Sequence, residues 1–379
     1  MNIFINCSNL RFGGGITVGF NIIKYYRDHF PSDKIFLVAP ANCGYEQFKS
    51  DNISLVILSP KYNRTLPKLY LNYFLLLWYV KKFKTDCIIS LGNIAIPVKK
   101  PQLLLIMFPY IAYPESEVWK RLGSLARFKK KSIVRTIKTN ARNADVIFVQ
   151  TETMRLRISK VMPLLKDKIK VIPCGVSFTS KAVSPLDQSA SRNTGAIRLL
   201  FLSKYYVHKN FEILIPLAKE IIQRKLNITI TITINAEENQ GSANFIKAIQ
   251  DHNLGDVIKN AGNIKLEDVA NVYEAHDGLL LPTLLESFSG TYIESFYFGK
   301  PIFTSDIDFA HDSCKDAAFF FDPLNSLNIL DVIVSAFNKP QEIKNKIELG
   351  KKYLNEYKTW DDIGGIFKQE MNRITAHKI

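Results

Sequence analysis

A chain of 379 residues, 47% hydrophobic and 22% charged, is too apolar to stay disordered and long enough for two domains with separate cores. Five scattered cysteines (Cys7, Cys43, Cys87, Cys174, Cys314), odd in number and without any Cys-x-x-Cys spacing, argue against a disulfide framework and a structural zinc site, and the six histidines do not cluster with them. The net charge of +15 is confined to one half: residues 1–180 carry 28 Lys/Arg against 10 Asp/Glu, and residues 181–379 carry 22 against 25.

The first element predicted is a strand over Asn2–Asn6. The opening Met-Asn-Ile-Phe-Ile-Asn-Cys lacks the basic n-region and long apolar h-region of a signal peptide, so a cytoplasmic protein is expected. Gly13, Gly14 and Gly15 follow and open a helical segment over Ile16–Tyr26. Such a run gives the backbone room to approach a phosphate or sugar, although a glycine turn after a first strand is also an ordinary structural device. Strand-like runs then recur at Lys34–Ala39, Ile53–Leu58, Asp86–Leu91, Gln102–Phe108, Asp145–Gln150 and Ile169–Ile172, alternating with helix-length segments, which implies a parallel sheet. Between them lies an aromatic-rich apolar run from Lys68 to Lys84 with basic ends, too short to span a bilayer and destined for the surface or the core. Residues 118–144 hold nine basic residues and no acid.

Residues 177–196, rich in Ser, Pro, Gly and Asn, read as a linker between a domain over 1–176 and a second over 197–358. The strand pattern restarts at Ile197–Ser203, Ile228–Ile234, Gly278–Pro282, Pro301–Thr304 and Ala317–Phe321. A final helix is expected around Thr359–Ala376, so that 359–379 forms the last segment.

The most informative stretch runs from Leu281 to Asp306. An apolar strand enters Pro282-Thr283, a polar turn follows, and a helix over Thr291–Phe298 is stopped by Gly299-Lys300-Pro301. It sets two carboxylates, Glu286 and Glu294, seven residues apart. A new helix at the carboxyl end of a strand exposes unpaired N–H groups and the positive end of its dipole, so an anion fits near Ser289, Gly290 and Thr291. Glu294, one turn in, could accept hydrogen bonds from ligand hydroxyls, and diol with phosphate together suggest a nucleotide or sugar nucleotide. Carboxylates near a helix start are also common for the dipole alone. Asp306-Ile-Asp308, after a late strand, reads as a turn rather than a metal site.

This stretch resembles the signature of retaining GT-B glycosyltransferases, glycosyltransferase family 4. Leu200–Lys204 is similar to the first strand of that family's second domain, and Lys204 with Lys209 to its pair of basic residues, which in the family contact the donor's diphosphate. Val171–Val176 resembles its last N-domain strand and Gly13–Gly15 its first glycine-rich loop. The chain departs from the pattern at Ser203, at Lys204 in place of arginine, and at Ser289. It also has no histidine in 103–110, where Tyr110 could place a hydroxyl. The resemblance implies two Rossmann-like domains facing a cleft, with the last helix crossing back to the first. It implies a nucleotide-diphosphate sugar (UDP- or GDP-linked) as donor and no separate cofactor or metal. Glu294 would hold the ribose, Glu286 a donor-sugar hydroxyl, and Lys204, Lys209, Ser289, Gly290, Thr291, Gly14 and Gly15 would complete the donor site. The acceptor would be a glycan or lipid-linked oligosaccharide in surface polysaccharide assembly.

The basic half leaves three readings: a solvated helix face, nucleic acid, or an anionic membrane surface. No nucleic-acid module accompanies the charge, and the resemblance favours the inner membrane face. Rival functions are a membrane-associated nucleotide-sugar-binding protein with a degenerate site and a nicotinamide-dependent oxidoreductase. The latter would need a Gly-x-Gly-x-x-Gly that the sequence lacks.

Overall fold

Short apolar runs pair side by side into two all-parallel sheets in a computed structural model that describes residues 1–11, 13–176 and 195–376. The first sheet holds β1 (Asn2–Asn6), β2 (Lys34–Pro40), β3 (Ile53–Leu58), β4 (Cys87–Ser90), β5 (Gln102–Leu105), β6 (Val146–Val149) and β7 (Ile169–Val171), in the order β3-β2-β1-β4-β5-β6-β7. The second holds β8 (Ile197–Phe201), β9 (Ile228–Ile232), β10 (Ile258–Asn260), β11 (Gly278–Leu281), β12 (Ile302–Ser305) and β13 (Ala318–Phe321), in the order β10-β9-β8-β11-β12-β13. Central strands such as β4, β5, β6, β11 and β12 are buried along their whole length, as strands covered on both faces must be. The two-residue period of a strand divides β1 between two cores. Ile3 and Ile5 join Ile22, Tyr26, Leu37 and Phe367 on one face, while Phe4 joins Phe36, Val38, Leu71, Leu76 and Val80 on the other.

The chain divides into two units. One takes in Met1–Pro114, the chain from Ser124 to residue 176, and the stretch from Tyr357 on; the other takes in Glu115–Gly123 and the chain from residue 195 to Glu356. The first is therefore built from both ends of the sequence. Helix Trp360–Ala376 buries Trp360, Ile363, Phe367, Met371 and Ile374 in the core beside helix Gly13–His29. Two ion pairs fix it at its flanks: Lys368 to Asp33 at 2.7 Å, and Lys170 to Glu370. This is the return of the last helix expected from the resemblance. Most of the linker assigned to 177–196 lies outside the described residues.

Local differences have local reasons. The glycines do not form a loop ahead of the first helix but make its first turn, with only Gly13 in the left-handed region (φ 53°). Strand β10 is absent from the predicted set because Ile-Lys-Asn is too short to show a period. The Lys68–Lys84 run divides into α-helix Thr65–Tyr70, π-helix Leu71–Leu75 and α-helix Leu76–Lys82. Among the described residues no helix is long and apolar enough to cross a membrane.

Candidate donor site in the second unit

Strands β8 and β11 are hydrogen-bonded neighbours at the place where the order of the second sheet reverses. The crevice outside the carboxyl ends of two such strands is where open α/β sheets bind ligands. The chain leaving β8 carries Ser203, Lys204 and Lys209; the chain leaving β11 carries Thr283, Glu286 and Ser289.

After β8, the Ser203 amide donates to Thr233 Oγ1 at 3.1 Å, and the Lys204 ammonium meets Glu238 at 2.8 Å in a half-exposed pair. A 3-10 turn over Val207–Lys209 then ends at Asn210 in the left-handed conformation (φ 62°), which asparagine tolerates better than most residues. Asn210 is fully buried and holds the turn in place. Its Nδ2 donates to the carbonyls of Pro282 at 3.0 Å and Pro323 at 2.8 Å, while its Oδ1 accepts from the Arg121 guanidinium.

Two further bonds join this turn to the loop after β11. The Leu284 amide donates to the His208 carbonyl at 2.7 Å, and Thr283 Oγ1 donates to the same oxygen at 3.1 Å. Lys209 is thereby brought against Glu286, and the two form an ion pair whose side chains are only 13% and 9% exposed. Glu286 also accepts from Thr283 Oγ1 at 3.3 Å. Beneath the loop, Ser305 Oγ donates to the Thr283 carbonyl at 2.7 Å and Tyr292 shares a hydrogen bond with Thr304 at 2.7 Å.

Ser289 occupies the N-cap of helix Gly290–Tyr297, yet its hydroxyl pairs with Thr291 Oγ1 at 2.9 Å instead of capping the backbone. Gly290 faces open space, with no heavy atom within 4 Å of where a Cβ would stand. An uncapped, unobstructed helix start of this kind suits a phosphate oxygen. One turn on, Glu294 accepts from the buried Tyr273 hydroxyl at 3.1 Å, and that hydroxyl also reaches the Thr291 carbonyl at 3.2 Å. Burial raises the Glu294 carboxyl above the usual glutamate range, and the Tyr273 bond offsets part of the effect.

The structure thus gathers Lys209, Glu286, Ser289, Gly290, Thr291 and Glu294 on the two segments that leave β8 and β11, the last three of them in helix Gly290–Tyr297. Lys204 stands on the same β8 loop but is paired with Glu238. Gly14 and Gly15 belong to the first unit. There Gly14 lies in the first turn of the helix with open space where a Cβ would stand, and Gly15 abuts Leu10. Tyr110, also in the first unit, is buried beneath the Lys130 ammonium, 3.9 Å from its ring centre. Desolvation lowers Lys130 to about 8. Asp306 bonds His311 at 2.6 Å and Asp308 begins a helix, and among the described residues no group of His, Cys, Asp and Glu is arranged to hold a metal. Sequence reasoning gave no role to Asn210, Tyr273 or Arg121. A lone asparagine ending a basic motif was a signal for the first, whereas Arg121 was one cation among nine.

Comparison with known proteins agrees with this geometry. Residues 185–353 match the model of the family described as glycosyl transferases group 1, which bears out the glycosyltransferase likeness read from the motifs. A curated relative, D-inositol 3-phosphate glycosyltransferase of Pseudarthrobacter chlorophenolicus, is 25% identical over 140 residues, which cover 36% of this chain and about a third (33%) of the relative's length. Sucrose-phosphate synthase from Thermosynechococcus elongatus superposes with a TM-score of 0.76 at 15% identity, covering 100% of both chains. HepE from Anabaena, solved with UDP-glucose, superposes at 0.71 and 16% identity over 99% of this chain and 100% of its own. At such identities the likeness is one of fold, and the fold is GT-B.

Proposed function

We propose that this protein is a retaining glycosyltransferase that moves a hexose from a UDP- or GDP-linked sugar to a glycan or lipid-linked acceptor in surface polysaccharide assembly. The observation that carries the reading is the Lys209–Glu286 pair beside the open start of helix Gly290–Tyr297, at the switch point of the second sheet. In the reaction the bond from the anomeric carbon to the diphosphate oxygen breaks and its electrons leave with the diphosphate, while an acceptor hydroxyl oxygen bonds the anomeric carbon on the same face and its proton passes to the departing diphosphate. Lys209, Lys204 and the N–H groups of Gly290 and Thr291 stabilise that charge, so that no divalent ion is needed. Glu286 accepts from a hydroxyl of the departing sugar, and Glu294 from the ribose. That HepE was solved with UDP-glucose supports a sugar nucleotide as donor. The basic half, with its excess of Lys and Arg, faces the anionic inner surface of the cell membrane, where lipid-linked acceptors reside.

Release of nucleoside diphosphate from a panel of UDP- and GDP-sugars in EDTA tests the donor reading. Slow hydrolysis of one sugar nucleotide, lost in Glu294→Ala and Lys209→Ala, is expected. Binding of a nucleotide sugar without turnover in the presence of glycan acceptors would point to a binding protein, and stabilisation by NAD alone would overturn the reading.

A further inference from the structure

The segment Thr65–Lys82 is apolar on two opposite sides. Leu71, Leu76 and Val80 pack into the core with Phe4, Phe36 and Ile88. Away from that core, Leu66 is 78% exposed, Phe74 65%, Tyr70 53%, Trp78 51% and Leu69 44%. A surface helix of a globular domain needs one apolar stripe, and a second one marks a contact with something else.

The backbone keeps this second stripe in line. Leu66, Tyr70, Phe74 and Trp78 recur every four residues, and in a straight α-helix of 3.6 residues per turn each such step drifts by about 40° around the axis. The π-helix over Leu71–Leu75, bonded i to i+5, is wider and winds the drift back. Cations border the ridge: Lys82 lies 4.6 Å from the Trp78 ring centre and Lys61 5.3 Å from that of Tyr62. From Asn52 to Thr85 the chain has no carboxylate. The neighbouring helix Ser124–Asn140, joined to the ridge where Asn140 Nδ2 donates to the Tyr73 hydroxyl at 3.0 Å, exposes Leu125 and Phe128 among Lys129, Lys131 and Arg135, and is likewise free of acid.

We infer that the ridge Leu66–Tyr70–Phe74–Trp78 is the part of the protein that inserts into the interfacial layer of an anionic bilayer, lying in its plane with the lysines among the headgroups. The inference rests on the proposed membrane-facing role of the basic half and says which residues enter the lipid. Uniformly positive rims repel a second copy of the same face, whereas an anionic lipid surface satisfies apolar ridge and cationic border together.

The test is sedimentation of the full chain with phosphatidylglycerol/phosphatidylcholine vesicles and with phosphatidylcholine alone, comparing wild type with Phe74→Ser/Trp78→Ser and with Lys129→Gln/Lys131→Gln/Arg135→Gln. Wild type is expected to prefer the anionic vesicles, and the ridge variant to bind about tenfold or more weakly, while its melting point and its thermal shift with UDP are unchanged. Brominated acyl chains should quench tryptophan emission in wild type and not in Trp78→Phe. Anionic binding lost only in the Lys/Arg variant, with tryptophan unquenched, overturns insertion of the ridge and leaves the membrane-facing reading standing. No preference for anionic vesicles overturns both. A dimer in solution that the ridge variant dissolves, without vesicle binding, assigns the ridge to a second copy and likewise overturns the inference.

Discussion

Lys209 and Glu286 hold each other in a mostly buried ion pair, and the pair has two separable consequences. Removing one partner leaves the other charge mostly buried and unpaired, which costs about 3–5 kcal/mol. Lys209→Ala should therefore lower the melting temperature as well as turnover, and a charge-assisted hydrogen bond of about 1.5–3 kcal/mol predicts a turnover loss of about one to two orders of magnitude. The double variant Lys209→Met/Glu286→Leu should regain most of the thermal stability but none of the nucleotide release; calorimetry beside the release assay separates the two effects. Glu294 supplies a prediction in pH. Its carboxyl is raised by burial, so the fold favours the protonated form: the stability it lends is fully present below the ordinary glutamate range and is lost as pH rises through the raised value. In the role proposed for Glu294, ribose binding runs the other way, because only the carboxylate accepts from both hydroxyls. UDP affinity measured by titration calorimetry should fall as pH drops through the raised value. Glu294→Gln should flatten that dependence, and Tyr273→Phe, which removes the bond that lowers the carboxyl, should move it to higher pH.

At the scale of elements, helix Trp360–Ala376 shows what a paired glycine does. Gly364 is buried against the ring of Tyr25, and a Cβ there would overlap three of its ring carbons. Gly365 stands beside it with only the Tyr25 hydroxyl at an ordinary 3.6 Å. Gly364→Ala should destabilise the first unit by about 1–3 kcal/mol through overpacking, whereas Gly365→Ala should stabilise the helix by about 0.5–1 kcal/mol through propensity. Urea unfolding of the two variants checks the opposite signs; equal effects would mean that the helix does not rest on Tyr25. The Gly-Gly pair was not read this way in the sequence, because spacing reveals a helix but not which neighbour presses on it.

Over the whole molecule, what could be read from the sequence was what is written locally. Short apolar runs bounded by turn residues marked nearly every strand, and the turn after Leu281 marked the helix start at Gly290. Pairings across distance were not legible: Lys209 and Glu286 are 77 residues apart, and Arg121 reaches Asn210 across 89. Only the folded sheet order brings those loops together. The same dependence on distant sequence governs how the chain can be divided. Because the first unit takes five core residues (Trp360, Ile363, Phe367, Met371 and Ile374) from the C-terminal helix, its core closes only when both ends of the chain are present. Fully burying such side chains contributes about 1.5–3 kcal/mol each, a sum comparable to the entire stability of a domain at about 5–15 kcal/mol. A chain ending at Glu356 should thus lose the cooperative unfolding transition of the first unit, while the second unit, whose candidate donor loops are tied by its own hydrogen bonds, keeps a UDP-dependent thermal shift. Differential scanning calorimetry of the truncated chain with and without UDP reads both transitions. Retention of the first would show that the helix is an appendage to a core already closed; loss of the UDP shift as well would show that the donor loops depend on the first unit being folded.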